Sequence, residues 1–169
     1  MRQIAERIGY SATTIYRYYK DKDDLLFAIV QEGFLRFGKA LAKAAQASAD
    51  PRERLAALGH AYIEFGLKNQ VYYRLMFMQR FDLIFEGRPE REEAPMIDSF
   101  GVVRQAVEQA MQAGVLRRGD PETTATVIWA VVHGITSLAI AGSKRFNRRQ
   151  VRENSELAMR MIGEGLGAR

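Results

Sequence analysis

Twice in this chain an aspartate is followed by a proline and then an acid or its neighbour: Asp50-Pro51-Arg52-Glu53 and Asp120-Pro121-Glu122-Thr123. An aspartate carboxylate accepts from the free N–H groups of a first helical turn, and proline fits the first helical position because its missing donor has no partner there. Asn147 with Gln150 three residues on, and Asp21 followed by Asp23 and Asp24, mark two more starts. Hydrophobic residues recur at helical spacing between these marks, and no stretch alternates as a strand does. The spacing predicts an all-α chain with helices over 1–8, 12–19, 22–47, 51–68, 71–80, 95–113, 121–142 and 148–165. The charged stretch from Phe81 to Ala94 reads as a loop.

Chemistry is narrowed next. There is no cysteine, which removes disulfides, thiolate metal sites and cysteine nucleophiles. No HExxH, nucleophile elbow or phosphate loop is present, and His60 and His133 have no partners at metal-ligand spacing, so neither an enzyme, a metal nor a cofactor is expected. The start lacks an apolar signal segment, and Val127–Gly142 is shorter than the ~20 residues of a bilayer span, so a buried helix in a cytoplasmic protein is expected. The net charge of +5 gathers in residues 1–22 and in Lys144, Arg145, Arg148, Arg149 and Arg152, which favours an anionic partner.

The first basic cluster has a shape. Ile4, Ala5 and Ile8 share a helical face, Gly9 suits a helix end, and Ser11 caps a second short helix that turns Ile15 and Tyr19 inward. Helix, glycine turn, helix is the grammar of a helix-turn-helix. Ala12, Thr13, Thr14, Tyr16, Arg17 and Tyr18 are then left outward, with Lys22 beginning the next helix. Arg17 can donate to guanine or phosphate, the threonines offer hydroxyls, and Ala12 can touch a thymine methyl. Tyr16, Tyr18 and Lys22 suit phosphate contacts, which position rather than specify.

The string IAERIGYSATTIYRYYKDKDDLL resembles the signature of the TetR (tetracycline-repressor-like) transcriptional regulators, at Ile4-Ala5, Gly9, Ser11, Thr14, Ile15, Tyr16, Tyr19, Lys22 and Leu25-Leu26. The resemblance implies that Arg2, Thr13, Thr14, Tyr16, Arg17, Tyr18 and Lys22 contact double-stranded DNA at a palindromic operator. WAVVHG, with Trp129, His133 and Gly134, is similar to a Trp-His-Gly pattern of some C-terminal domains of that family. Family members carry a helix before the motif. Met1 falls inside what corresponds to the first motif helix, so a truncated or mis-started chain, part exposure of Ile4, Ile8 and Ile15, and weak DNA affinity are expected. The division implied is a DNA-binding region over 1–38 and a ligand-binding and dimerisation domain over 39–169. A shift would travel along the helix beginning at Lys22, with Gly33 and Gly38 letting it bend.

The aromatic-rich stretch from Ala61 to Phe81 offers a pocket for a small hydrophobic effector: Tyr62, Phe65, Tyr73, Phe77 and Phe81, facing Phe100, Trp129 and His133. Each of these residues alone suits an ordinary core better, and only the cluster as a whole argues for a cavity. Small residues Ala130, Gly134, Ser137, Ala141 and Gly142, with Ala158, Met161 and Ile162, suggest a homodimer formed through 121–142 and 148–165. The competing expectation is a helical ligand-binding or interaction module without DNA binding.

Overall fold

A computed structural model describes residues 1–79, 98–142 and 146–167. Among them the helices run α1 (Arg2–Arg7), α2 (Ala12–Tyr16), α3 (Lys22–Ala45), α4 (Pro51–Lys68), α5 (Gln70–Arg74), α6 (Ser99–Gln112), α7 (Pro121–Ile140) and α8 (Arg148–Leu166). Phe81, Lys144 and Arg145 lie outside the described residues.

The caps behave as the sequence leads one to expect. Asp120 accepts from the Thr123 amide at 2.8 Å, Asp21 from the Asp24 amide at 2.7 Å, and Asn147 and Gln150 close a reciprocal capping box. The α4 cap is built differently from the simple box. Asp50 accepts from the Arg52 and Glu53 amides, but Glu53 returns through Ser48, whose hydroxyl donates to Glu53 at 2.7 Å and accepts from the Asp50 amide.

Helix α3 packs on α4 and α6, α4 on α7, and α7 on α6 and α8. The core centres on Val30, Phe37 and Leu41 of α3, Leu58 and Tyr62 of α4, and Val132 of α7. A second cluster joins Val107, Ala110 and Met111 of α6 to Ala125 and Ile128 of α7. Position 38 falls inside α3, whose Phe37 and Leu41 enter one core, so the head and the larger bundle share an unbroken helix.

Several expectations are corrected. Helix α2 stops at Tyr16, not residue 19, because the Arg17 amide divides between the Thr13 and Thr14 carbonyls and the Tyr18 amide bonds three residues back to Ile15. The helix expected over 71–80 is α5 followed by a π turn, Leu75–Gln79. Ile15 is buried, whereas Ile4 and Ile8 are exposed. Gly33 is a packing site: a Cβ there would lie 2.6 Å from Met76 Sδ.

Helix α7 is the other surprise. An 18-residue window of this 20-residue helix has a mean hydropathy of 1.5, and by length and composition alone it could cross a bilayer. It buries only one stripe, Ala125, Ile128, Val132, Thr136 and Ile140. Val127 and Leu138 face outward.

Glycine also permits the tight α4–α7 crossing. A Cβ at Gly66 would collide with Thr136 Cγ2 and sit 3.0 Å from the Tyr73 ring. Gly66→Ala is expected to destabilise the fold by about 1–3 kcal/mol through overpacking, read as a lowered Tm. Gly134→Ala, with no heavy atom of the described residues of its own chain within 4 Å of its Cβ, should leave the Tm of the single chain unchanged or raise it slightly.

Candidate nucleic-acid head and buried aromatic site

The head is two short helices hinged at Gly9, whose φ of 73° suits a residue without Cβ. The Tyr10 amide returns to the Ala5 carbonyl at 2.9 Å, and buried Ala5 and Ile15 anchor the pair. Ser11 accepts from the Thr14 amide at 3.1 Å, and its hydroxyl also bonds the Thr14 hydroxyl at 2.8 Å. Thr14 is therefore engaged within its own helix and half-buried, as is Ala12.

Thr13, Tyr16, Arg17, Tyr18, Arg2 and Lys22 are exposed, with Tyr16 at 53% and Tyr18 at 73%. Tyr18 lies in the turn after α2, and Lys22 is the first residue of α3. Among the described residues, no carboxylate pairs with Arg17 or Lys22. These are cations and hydroxyls presented to solvent on a small rigid support.

The aromatic residues meet in the bundle. Tyr62 of α4, Tyr73 of α5 and Trp129 and His133 of α7 form a hydrogen-bonded chain. The Trp129 indole N–H donates to Tyr62 Oη at 3.0 Å. Tyr62 and Tyr73 hydroxyls are 3.2 Å apart, and they lie 3.1 and 2.8 Å from His133 Nδ1. His133 Nε2 meets Ser137 Oγ at 3.2 Å. Indole nitrogen can only donate, which fixes the first bond; one arrangement that satisfies every group then runs through Tyr62 and Tyr73 to Nδ1, with Nε2–H donating to Ser137. Each step polarises the next.

Phe77 packs against this chain, its ring centroid 5.0 Å from Tyr73 and 5.8 Å from His133. Phe100 meets Trp129 edge-on at 6.4 Å. Phe65 sits apart, 5.0 Å from Phe37 on the α3 side. The sequence reading missed Ser137 as a polar partner and Phe34 and Phe37 as ring neighbours. Their aromatic spacing of three on α3 was the available signal. Of the described surface cavities, those at the α3–α4–α6 corner, the α4–α8 groove and the α4–α8 C-terminal end include none of these aromatic residues.

Burial holds the site electrically neutral. It pushes the Tyr62 hydroxyl far up, with Tyr73 adding to the shift, and it raises Tyr73 as well. It moves His133 below the ordinary imidazole value. Among the described residues no three acidic or histidine side chains converge as metal ligands.

Residues 55–163 match the family described as tetracyclin repressor-like, C-terminal domain, and residues 1–29 match that of bacterial regulatory proteins, tetR family. A Rhodococcus sp. RHA1 protein of unknown function is similar at 30% identity, over 98% of this chain and 84% of its own, with a TM-score of 0.77. A tetR-family regulatory protein from Rhodococcus RHA1 shares 24% identity, over 99% of this chain and 86% of its own, with a TM-score of 0.76. AibR in complex with isovaleryl coenzyme A and operator DNA shares the fold, at 23% identity and a TM-score of 0.67, over 95% of this chain and 84% of its own.

A histidine whose folded value lies below its unfolded value of about 6.5 contributes no pH dependence above that value, where both states are neutral. Below it the unfolded chain binds the proton more readily. Stability is therefore expected to fall as pH drops below about 6.5. Urea midpoints measured across this range should lose that part of the slope in His133→Gln.

Proposed function

The chain belongs to the TetR family of bacterial regulatory proteins, which are DNA-binding transcriptional regulators, and from that premise we propose that it is a dimeric repressor released by a small hydrophobic effector. The observation that carries the DNA side is the exposed set of Thr13 and Tyr16 on α2, Arg17 and Tyr18 just after it and Lys22 at the start of α3, beside buried Ala5 and Ile15. In this reading Arg17 and Thr13 reach base edges, while Tyr16, Tyr18, Arg2 and Lys22 hold phosphates. Ala12 and Thr14 lie at the margin of the contact. A cytoplasmic location follows from the same reading.

The effector site is the aromatic cluster of Tyr62, Tyr73, Phe77, Trp129 and His133, with Phe100 at its edge; Phe65 packs on Phe37 apart from it, and Phe81 lies outside the described residues. What supports it is a hydrogen-bonded chain that carries no charge, bounded by rings on both sides. Such surroundings favour an apolar ligand with one or two polar atoms over a charged one. AibR, which shares the fold, has been captured in complex with isovaleryl coenzyme A and operator DNA.

Dimerisation is supported by the outer face of α7 and α8. Leu138 is 50% and Met161 62% exposed, and Gly134, one turn before Leu138 on α7, has open space where a Cβ would stand. A glycine in the middle of a long helix costs about 1 kcal/mol relative to alanine, and packing among the described residues does not explain it. Close approach of a second helix does. Two copies joined there would present two heads to half-sites about 34–36 Å apart, one duplex turn. A small rotation of α3 would then remove one head from its groove.

Two measurements test the reading. Fluorescence anisotropy with palindromic duplexes should show salt-sensitive binding that Tyr16→Ala with Arg17→Ala weakens by about 1–3 kcal/mol or more, and Lys22→Ala should lower the salt slope by about 1. Specific binding indifferent to these changes would falsify the DNA assignment. Absence of any binding would favour a ligand-binding or interaction module, a reading that exposed Ile4 and Ile8 support. In sedimentation, Leu138→Asp with Met161→Asp should convert a dimer to a folded monomer.

A further inference from the structure

The second basic cluster of the sequence gathers at one end of the bundle. Helix α3 leaves the head and, after the short connection 46–50, α4 returns beside it, so Lys68 ends α4 on the side facing the head. Helix α7 runs the same way as α4, since Tyr62 meets Trp129 and Gly66 lies against Thr136. The carbonyl of its final residue, Ile140, accepts from the Arg74 guanidinium. Helix α8 starts at this end and runs away from it. Its Arg148 and Arg152 share a groove with Leu67 and Lys68, whereas Met159 lies over Gly59, earlier on α4.

The charges in this corner oppose local stability. Helices α3, α4 and α7 carry Asp23 and Asp24, Glu53 and Glu122 in their first turns, where the helix dipole favours anions, but α8 begins with Arg148, Arg149 and then Arg152. Arg148 and Arg152 stand one turn apart, a like-charge spacing that weakens a helix. The capping box engages the Gln150 amide, so side chains and not the helix end carry the positive field. Phe146 and Val151 pack on the core, and the three arginines are exposed. Arg149 and Arg152 pair with Glu153 and Glu156, and Lys68 with Glu64, all solvent-exposed contacts that hold a charge weakly. Arg148 has no carboxylate partner among the described residues. At the opposite end, by contrast, Arg54 and Arg117 donate to the Ser48 and Gly167 carbonyls.

We propose that the corner of Lys68, Arg148, Arg149 and Arg152 steers duplex DNA onto the heads by attracting its phosphates. Gly33, where α3 meets α5, is about 16 Å along the helix from Lys22, so the corner stands behind the head and acts through its field. That distance is comparable to the Debye length, about 10 Å at 0.1 M salt and about 30 Å at 0.01 M. In a dimer joined along α7 and α8 two such corners come together between the heads, and a polyanion below them relieves their repulsion. A field of this kind raises the rate of encounter and leaves residence on the duplex nearly untouched. Its use in regulation rests on the regulator reading above; attraction of a duplex to the corner does not.

Arg148→Gln, Arg149→Gln and Arg152→Gln together should leave Tm unchanged or raise it, because they remove cations from an unfavourable helix end. In stopped-flow anisotropy with a mixed-sequence duplex at low salt, this variant should associate about 10-fold more slowly, with dissociation nearly unchanged and the difference closing as salt rises. Arg52→Gln, Arg118→Gln and Arg160→Gln, exposed arginines away from the corner, remove the same net charge and should slow association far less. Unchanged association in the first variant, an equal fall in the second, or a loss confined to dissociation overturns the proposal. Pyrophosphate that raises the Tm of the parent but not of the first variant, with duplex association the same in both, overturns it in favour of a small-anion pocket. Palindrome binding that needs Tyr16 and Arg17 but ignores the corner leaves the regulator reading standing alone. Corner-dependent association with no preference for any palindrome leaves the corner standing alone.

Discussion

The chain of hydrogen bonds from Trp129 through Tyr62 and Tyr73 to His133 is the constraint on which the bundle depends. It places polar atoms of three helices in the interior, where an unpaired hydroxyl or imidazole costs about 1–3 kcal/mol. Satisfying them all fixes α4, α5 and α7 in one mutual register. Apolar packing alone tolerates sliding; a donor that must find one acceptor does not. No buried side-chain nitrogen or oxygen among the described residues lacks a partner.

Around that register the helices approach closely wherever glycine allows it. Gly66 lets α4 meet Thr136 and Tyr73, and Gly33 lets α3 meet Met76 and Tyr72. The second contact matters more for function, because α3 begins one residue after Asp21 and runs without interruption from the head into the core. Its Phe34 and Phe37 meet the rings that surround the polar chain. A change at the aromatic site thus has a short, packed route to the helix that carries Lys22.

The molecule's outer surfaces divide by chemistry. The head shows cations and phenols in front of a small buried anchor, which suits phosphate and base edges. The outer face of α7 shows Val127 and Leu138 beside a glycine with empty space above it, which suits another helix. A helix with an 18-residue window of mean hydropathy 1.5, only 28% of it buried, is not what a solitary bundle requires.

Local rules written in the chain determined where most helices begin. Asp21, Asp50, Asp120 and Asn147 act on amides two or three residues away, so their effect is independent of the rest of the fold. The glycine turn and the outward set on α2 were legible for the same reason, and the aromatic composition of residues 61–81 announced a cluster. Tertiary structure decided what those groups do together. That Tyr62 meets His133 across 71 positions, that Ser137 answers Nε2, and that α5 widens into a π turn over Gly33 all depend on contacts between distant segments. A periodic pattern names the buried face of a helix, but not the partner pressed against it, because hydrophobic burial has no direction and only complementary shape and paired polar atoms select one arrangement.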